Sequence, residues 1–111
     1  MTWKNRAKKH FINCNPLEGC GLLVQKNNEI TFWPCKNIAP SDNKDVSFAI
    51  NPMDFANCED SGGNIIGVAH SHPKGTSEPS DADIKNCKIS SLDWYIYSIS
   101  NDDWHYIDSK L

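Results

Sequence analysis

The chain has 111 residues, with 11 Lys or Arg against 14 Asp or Glu and a formal charge of -3 at pH 7. That length suits one small domain hiding roughly two thirds of the surface its unfolded chain exposes, so a single core over residues 1–111 is expected without staples. The acidic balance, the lack of a basic stripe interleaved with aromatics and the lack of any apolar run near ~20 residues exclude nucleic-acid binding and membrane spanning as expected roles.

Trp3, Ala7 and Phe11 recur at four-residue steps with charges between them, which predicts an amphipathic helix ended by residues 13–16. Lys4, Arg6, Lys8 and Lys9 cluster there, but no apolar stretch of signal-peptide length follows them. Residues 21–25 and 29–33 flank the short polar connection Lys26-Asn27-Asn28, so they predict a hairpin. A polar loop holding Pro40 follows over 39–45. Residues 46–50 alternate with period two and predict a third strand before Asn51 and Pro52 open a helix to about Asp60. Ser61-Gly62-Gly63 turns the chain into an apolar strand ending at His70, and residues 71–79 read as a loop. A helix from Ser80 to about Ile89 and two strands, 93–100 and 104–107, complete the pattern. The expected total is three helices and six strands, a mixed sheet packed by helices.

Five cysteines, Cys14, Cys20, Cys35, Cys58 and Cys87, are an odd number with no C-x-x-C spacing. They read as reduced thiols of a cytosolic protein, mostly small buried hydrophobes, and give no support to a structural zinc knuckle.

The chemistry concentrates in His70-Ser71-His72-Pro73 followed by Ser80 and Asp83. Two histidines two apart at a strand end point to the same face, and a carboxylate in the first turn of the next helix can meet them around one ion. Two imidazoles and one carboxylate leave a fourth tetrahedral position open, which separates catalytic from structural zinc. Coordinated water then ionises near pH 7, and the metal polarises a substrate carbonyl. Such a site needs a proton acceptor, and Glu18, before the first central strand with Gly19 and Gly21 beside it, is the candidate. Ser80 can donate its hydroxyl to a developing oxyanion. Taken alone, Ser80-x-x-Asp83 is close to a helix capping box, and a pair of histidines in a turn needs no metal. Their joint occurrence favours the site. His10 and His105 read as surface or partly packed side chains, and Cys87, four residues after Asp83, reads as a core contact rather than a fourth ligand.

His70-Ser71-His72, Ser80 and Asp83, with Glu18 upstream of Gly21-Leu22-Leu23-Val24, resemble the signature of the JAMM (MPN-plus, JAB-type) zinc metalloprotease family. The resemblance implies that His70, His72 and Asp83 hold Zn2+, that Glu18 activates water and that Ser80 assists the tetrahedral intermediate. Residues 33–37 (Trp-Pro-Cys-Lys-Asn), 48–52, 79–83 and 94–96 are further similar to the branch found among tail assembly proteins of lambda-like phages. The implied fold is α/β in the mixed α+β sense, a cytidine-deaminase-like JAB/MPN fold with zinc at one edge of the sheet. The implied activity is hydrolysis of a peptide or isopeptide bond.

Phage relatives often continue into an NlpC-type cysteine peptidase domain, for which residues 1–111 have no counterpart. The stretch between Glu18 and His70 is filled by expected core elements, which leaves no room for the insertions that grip ubiquitin in deubiquitinating relatives. The resemblance thus implies a hydrolase of phage tail assembly or maturation, or of cell-wall peptide. Its substrate would be a ubiquitin-like tail assembly protein or a peptidoglycan peptide, with other tail proteins as partners. The setting would be the bacterial host cytoplasm during assembly or the virion tail. A non-catalytic zinc-binding scaffold of the tail tip is the alternative. A zinc nucleoside deaminase would need His-x-Glu and a later Pro-Cys-x-x-Cys, and neither is present.

Overall fold

The computed structural model describes residues 2–110, and Met1 and Leu111, the ends of the expected 1–111 span, lie outside it. Among the described residues the elements run α1 (Trp3–Cys14), β1 (Cys20–Lys26), β2 (Glu29–Cys35), α2 (Pro52–Asp60), β3 (Asn64–His72), α3 (Asp81–Ser90), β4 (Asp93–Ser98) and β5 (Asp103–Ile107). The five strands form one sheet in the order β2-β1-β3-β4-β5, antiparallel except for the β3/β4 pair, so the sheet is mixed as expected. The parallel pair is joined through α3, the crossover that parallel neighbours require.

Period-two alternation in the strands feeds two apolar layers. On one face Cys20, Leu22, Val24, Val68 and Trp94 pack with Cys58 of α2 and Cys87 of α3. On the other, Leu23, Phe32, Ala69 and Tyr97 pack with Ala7 and Phe11 of α1. The four-residue stripe of α1 is the buried one, with Ala7 and Phe11 fully covered and Trp3 edge-on to Tyr95 and Trp104. Thr2 caps this helix by accepting from the Asn5 N–H. Four of the five thiols lie in the core as expected, and Cys14 is half-buried. Gly19 is required by close approach: a Cβ there would fall 2.6 Å from the Phe11 ring and 3.3 Å from its Cα, so α1 can press against the residue that follows Glu18.

Three expectations about the elements need correction. Residues 46–50 form no strand and contribute only an isolated bridge from Ile50 to Asn37, so the sheet has five strands rather than six. The reason is competition for the backbone. The Asn37 amide takes the Ser47 carbonyl and the Ala49 N–H, groups that a ladder would have used. Second, β3 continues through Ser71 and His72, which had read as loop, because pairing with β4 extends to Ser98. Third, β4 stops at Ser98 rather than residue 100, where a tight turn closes with the Asp102 N–H donating to the Ser98 carbonyl.

Candidate metal centre

His70 and His72 are successive same-face residues of β3, on the face that carries Val68 and the apolar layer shared with α2 and α3. His70 is fully buried, stacked on Phe48 (ring centroids 4.4 Å) and edge-on to Trp94 (5.4 Å). His72 is half-buried, and its Nδ1 lies 2.9 Å from the Thr76 carbonyl. Only an N–H can satisfy that carbonyl, so Nδ1 carries a proton; in the neutral ring Nε2 has the lone pair a metal would take, and in the protonated ring Nε2–H donates to Asp83. That nitrogen faces Asp83.

Asp83 is placed by the start of α3. Ser80 is the N-cap, accepting from the Asp83 N–H at 3.1 Å, while the Ser80 N–H donates to Asp83 Oδ2 at 3.0 Å. This is a complete capping box. The structural and functional readings of Ser80 and Asp83 are therefore not alternatives, because the cap aims the carboxylate. Oδ2 lies 3.1 Å from His72 Nε2, and Oδ1 lies 3.2 Å from His70 Nε2. One ligand atom from each of His70, His72 and Asp83 falls within 4.8 Å of the others.

His70 supplies the test of whether these residues fit a metal. Its Nδ1 and Nε2 are both buried without a hydrogen-bond partner, since Nε2 stands near Asp83 Oδ1 but out of donor alignment. Two unmet nitrogens on a covered ring are costly unless something else satisfies one of them. A metal ion held by Nε2 and the carboxylate would do so, and an N,N,O set suits zinc.

The charges are arranged accordingly. Burial lowers the His70 pKa against the pull of Asp83, which favours the neutral, coordinating imidazole. The Asp83 hydrogen bond raises that of His72. Burial would raise the Asp83 carboxyl, but the two imidazoles and the Ser80 N–H hold it well below the usual carboxylate range. The positive end of α3 adds to this.

Glu18 precedes β1 and is 6 % exposed. It lines a cleft of about 440 Å³ together with His72, Ser80 and Asp83, and Pro16, Asp45, Val46, Pro73 and Lys74 form the rest of the wall. Burial pushes its carboxyl up to about 7, with Asp83 and Asp45 adding and His72 opposing. A carboxyl poised there exchanges protons readily near neutral pH. The five residues singled out from the sequence thus meet at one place, with His70 reaching it from the core beneath.

Other expectations resolve plainly. His10 is partly packed, against Phe11 and Phe32, and His105 is exposed. Cys87 is fully buried in the apolar layer, its thiol donating to the Leu92 carbonyl, so it is a core contact. Cys87→Ala is expected to leave metal content unchanged while costing about 1 kcal/mol, checked by metal analysis beside urea unfolding.

Sequence reasoning missed Ser71 and Phe48. Ser71, the spacer between the histidines, points to the opposite face, where its Oγ accepts from the Gly19 N–H (2.8 Å) and its own N–H donates to the Gly19 carbonyl (3.0 Å). That latch ties the residue after Glu18 to the ligand strand. Period two alone would have placed Ser71 on the far face, but no local signal names Gly19 as its partner. Phe48, expected in a strand, instead forms a wall of the His70 slot.

The chain is 33% identical over 95 residues to the tail tip assembly protein K of Escherichia phage N15, covering 86% of this chain and 38% of that protein. It is 28% identical over 86 residues to a probable TtuB-protein conjugate cleaving protease of Thermus thermophilus, covering 74% of this chain and 57% of that one. The chain therefore spans less than two thirds of either relative. Among solved structures, protein DSY2949 from Desulfitobacterium hafniense superposes with a TM-score of 0.71 at 20% identity, over 96% of this chain and 86% of that one. AF2198, a JAB1/MPN domain protein from Archaeoglobus fulgidus, does so at 0.62 and 18%, over 99% and 91%. These likenesses show the same α+β fold. Residues 5–108 match the family described as prokaryotic homologs of the JAB domain (Prok-JAB), and the chain belongs to that family.

Proposed function

We propose that this chain is a zinc metallopeptidase of the JAMM type that hydrolyses a peptide or isopeptide bond. The observation that carries the proposal is the convergence of His70, His72 and Asp83 beside Glu18 in one open cleft. His70 Nε2, His72 Nε2 and the Asp83 carboxylate would hold the zinc, which when bound supplies Lewis acidity toward a carbonyl and acidity to a water.

The chain's own residues do the remaining work. Glu18 accepts a proton at its carboxylate and returns it to the leaving amine, a role that its position in the cleft and its raised pKa both support. The Ser80 Oγ already accepts from the Asp83 N–H, so its hydroxyl hydrogen is free to donate to an oxyanion in the cleft. Thr76 holds the His72 ring in the tautomer that coordinates. Pro16, Val46 and Pro73 give the cleft apolar walls, and Asp45 and Lys74 put opposite charges at it, which suits an extended peptide segment.

One named relative is a probable protein-conjugate cleaving protease and the other a tail tip assembly protein, which supports a protein substrate, either a protein conjugate or a component of phage tail assembly such as a ubiquitin-like tail protein processed during maturation. A peptidoglycan peptide is the other substrate carried by the same chemistry. The test is zinc stoichiometry followed by cleavage of tail components and conjugates by wild-type and Glu18→Gln chains. One zinc per chain and a product absent only with Glu18→Gln support the peptidase. One zinc with no cleavage of any such substrate identifies a tail-tip scaffold instead.

Ser80 has two separable duties. Ser80→Ala is expected to cost about 1 kcal/mol as a lost cap, whereas Ser80→Gly costs only a few tenths. Both should lower kcat roughly 10²-fold, since both lack the donor. Urea unfolding beside steady-state kinetics checks this, and a Gly variant with wild-type kcat would leave Ser80 a cap alone.

A further inference from the structure

Asn37 lies between β2 and the loop over residues 38–50, and its one amide makes five hydrogen bonds. Nδ2 donates to the carbonyls of Glu18 (3.0 Å), Ser47 (3.0 Å) and, at longer range, Lys44 (3.4 Å). Oδ1 accepts from the N–H groups of Ala39 (3.0 Å) and Ala49 (3.1 Å). The bond to Ala39, two residues on, is ordinary Asx-turn chemistry. The bonds to Glu18 and Ser47 are not, because they join segments distant in sequence. The Glu18 N–H also donates to the Lys44 carbonyl at 2.7 Å, so one polar group of the Glu18 backbone is held by Asn37 and the other by the loop that Asn37 grips. Asp45 and Val46, carried between the gripped carbonyls of Lys44 and Ser47, line the cleft with Glu18.

We propose that Asn37 is a positioning residue for peptide hydrolysis, clamping Glu18 and the Asp45–Val46 wall of the cleft into one rigid unit. The inference rests on the peptidase reading above. Asn37 touches neither the ligand set nor the cleft, so it acts through Glu18. A displacement near 1 Å of a proton-transfer group is enough to lower turnover roughly 10²-fold without changing ground-state binding much.

Asn37→Asp separates the clamp from the turn, since it keeps an acceptor for Ala39 and Ala49 but sets a carboxylate oxygen against three carbonyls. Asn37→Ser removes the clamp without adding charge. Each is tested as the zinc-loaded full chain for kcat, KM and zinc content, and by amide hydrogen exchange. The expected result is a kcat lowered roughly 10²-fold with KM within about threefold, zinc unchanged, and fast exchange at the Glu18 N–H. The Gly19 N–H, held by Ser71, should stay protected.

Wild-type kcat in either folded variant overturns the proposal. So does an unchanged Glu18 exchange rate, equal loss of zinc and activity, or failure of both variants to fold, which would make Asn37 a fold residue. The exchange arm needs no turnover. If Glu18→Gln proves fully active, the peptidase assignment of Glu18 fails while the clamp is still read directly.

Discussion

Glu18→Gln should abolish nearly all hydrolysis, lowering kcat roughly 10²- to 10⁴-fold, while the chain still takes up one zinc. The same substitution should make the metal-free protein more stable at alkaline pH. The Glu18 carboxyl has an ordinary value of 4.5 when unfolded and is pushed up to about 7 in the fold, chiefly by burial. A carboxyl whose pKa rises on folding binds more protons in the native state between those values, so its contribution to stability is present in acid and is lost as pH climbs through that window. Glutamine carries no charge to desolvate. In chelator, the variant should therefore match wild type near pH 4 and exceed it by roughly 1–3 kcal/mol near pH 8, checked by urea midpoints at both values. Loss of activity with a gain of stability is the mark of a group held in an unfavourable place for function. A variant that is inactive and also less stable at alkaline pH would mean that Glu18 is structural.

Metal removal should have the second large effect. A ligand present at about 1,000 times its Kd stabilises the native state by roughly 4 kcal/mol, and for a domain of this size that moves Tm by roughly 15 °C. The reason lies in the site itself. Without an ion, His70 keeps two buried nitrogens unpartnered, and the Asp83 carboxylate must be satisfied by His72 and the Ser80 N–H alone. Differential scanning calorimetry of zinc-loaded and chelated protein measures the shift, and readdition of zinc should reverse it. Asp83→Asn should remove the zinc response, because the amide supplies neither the charge nor the same donor set. A Tm that ignores both chelator and Asp83→Asn would contradict a metal between these three side chains.

The parts of this protein legible in the chain are those whose signal is local. The step of four in α1, the Asn51-Pro52 start of α2, the capping box at Ser80 and the apolar runs of β1 and β3 each lie within a dozen residues. So does the His70-x-His72 pair with Asp83 a helical start away. The strand expected over residues 46–50 failed because its fate is decided elsewhere. A period of two describes which side chains could face a core, yet the Asn37 amide intercepts the backbone groups that pairing would need.

From sequence alone, then, come the residue types able to bind a metal, their spacing and the family they resemble, since ligand chemistry and helix or strand periodicity are properties of short segments. Only the tertiary structure decides that Glu18 stands in the cleft with Ser80 and Asp83, that Phe48 covers His70 and that Gly19 latches onto Ser71, 52 positions away. Those contacts depend on the sheet bringing β1 beside β3 and on the loops that the sheet anchors. Chain proximity carries no trace of such closures, which form only when the entropy of closing long loops is offset by burial of the shared core.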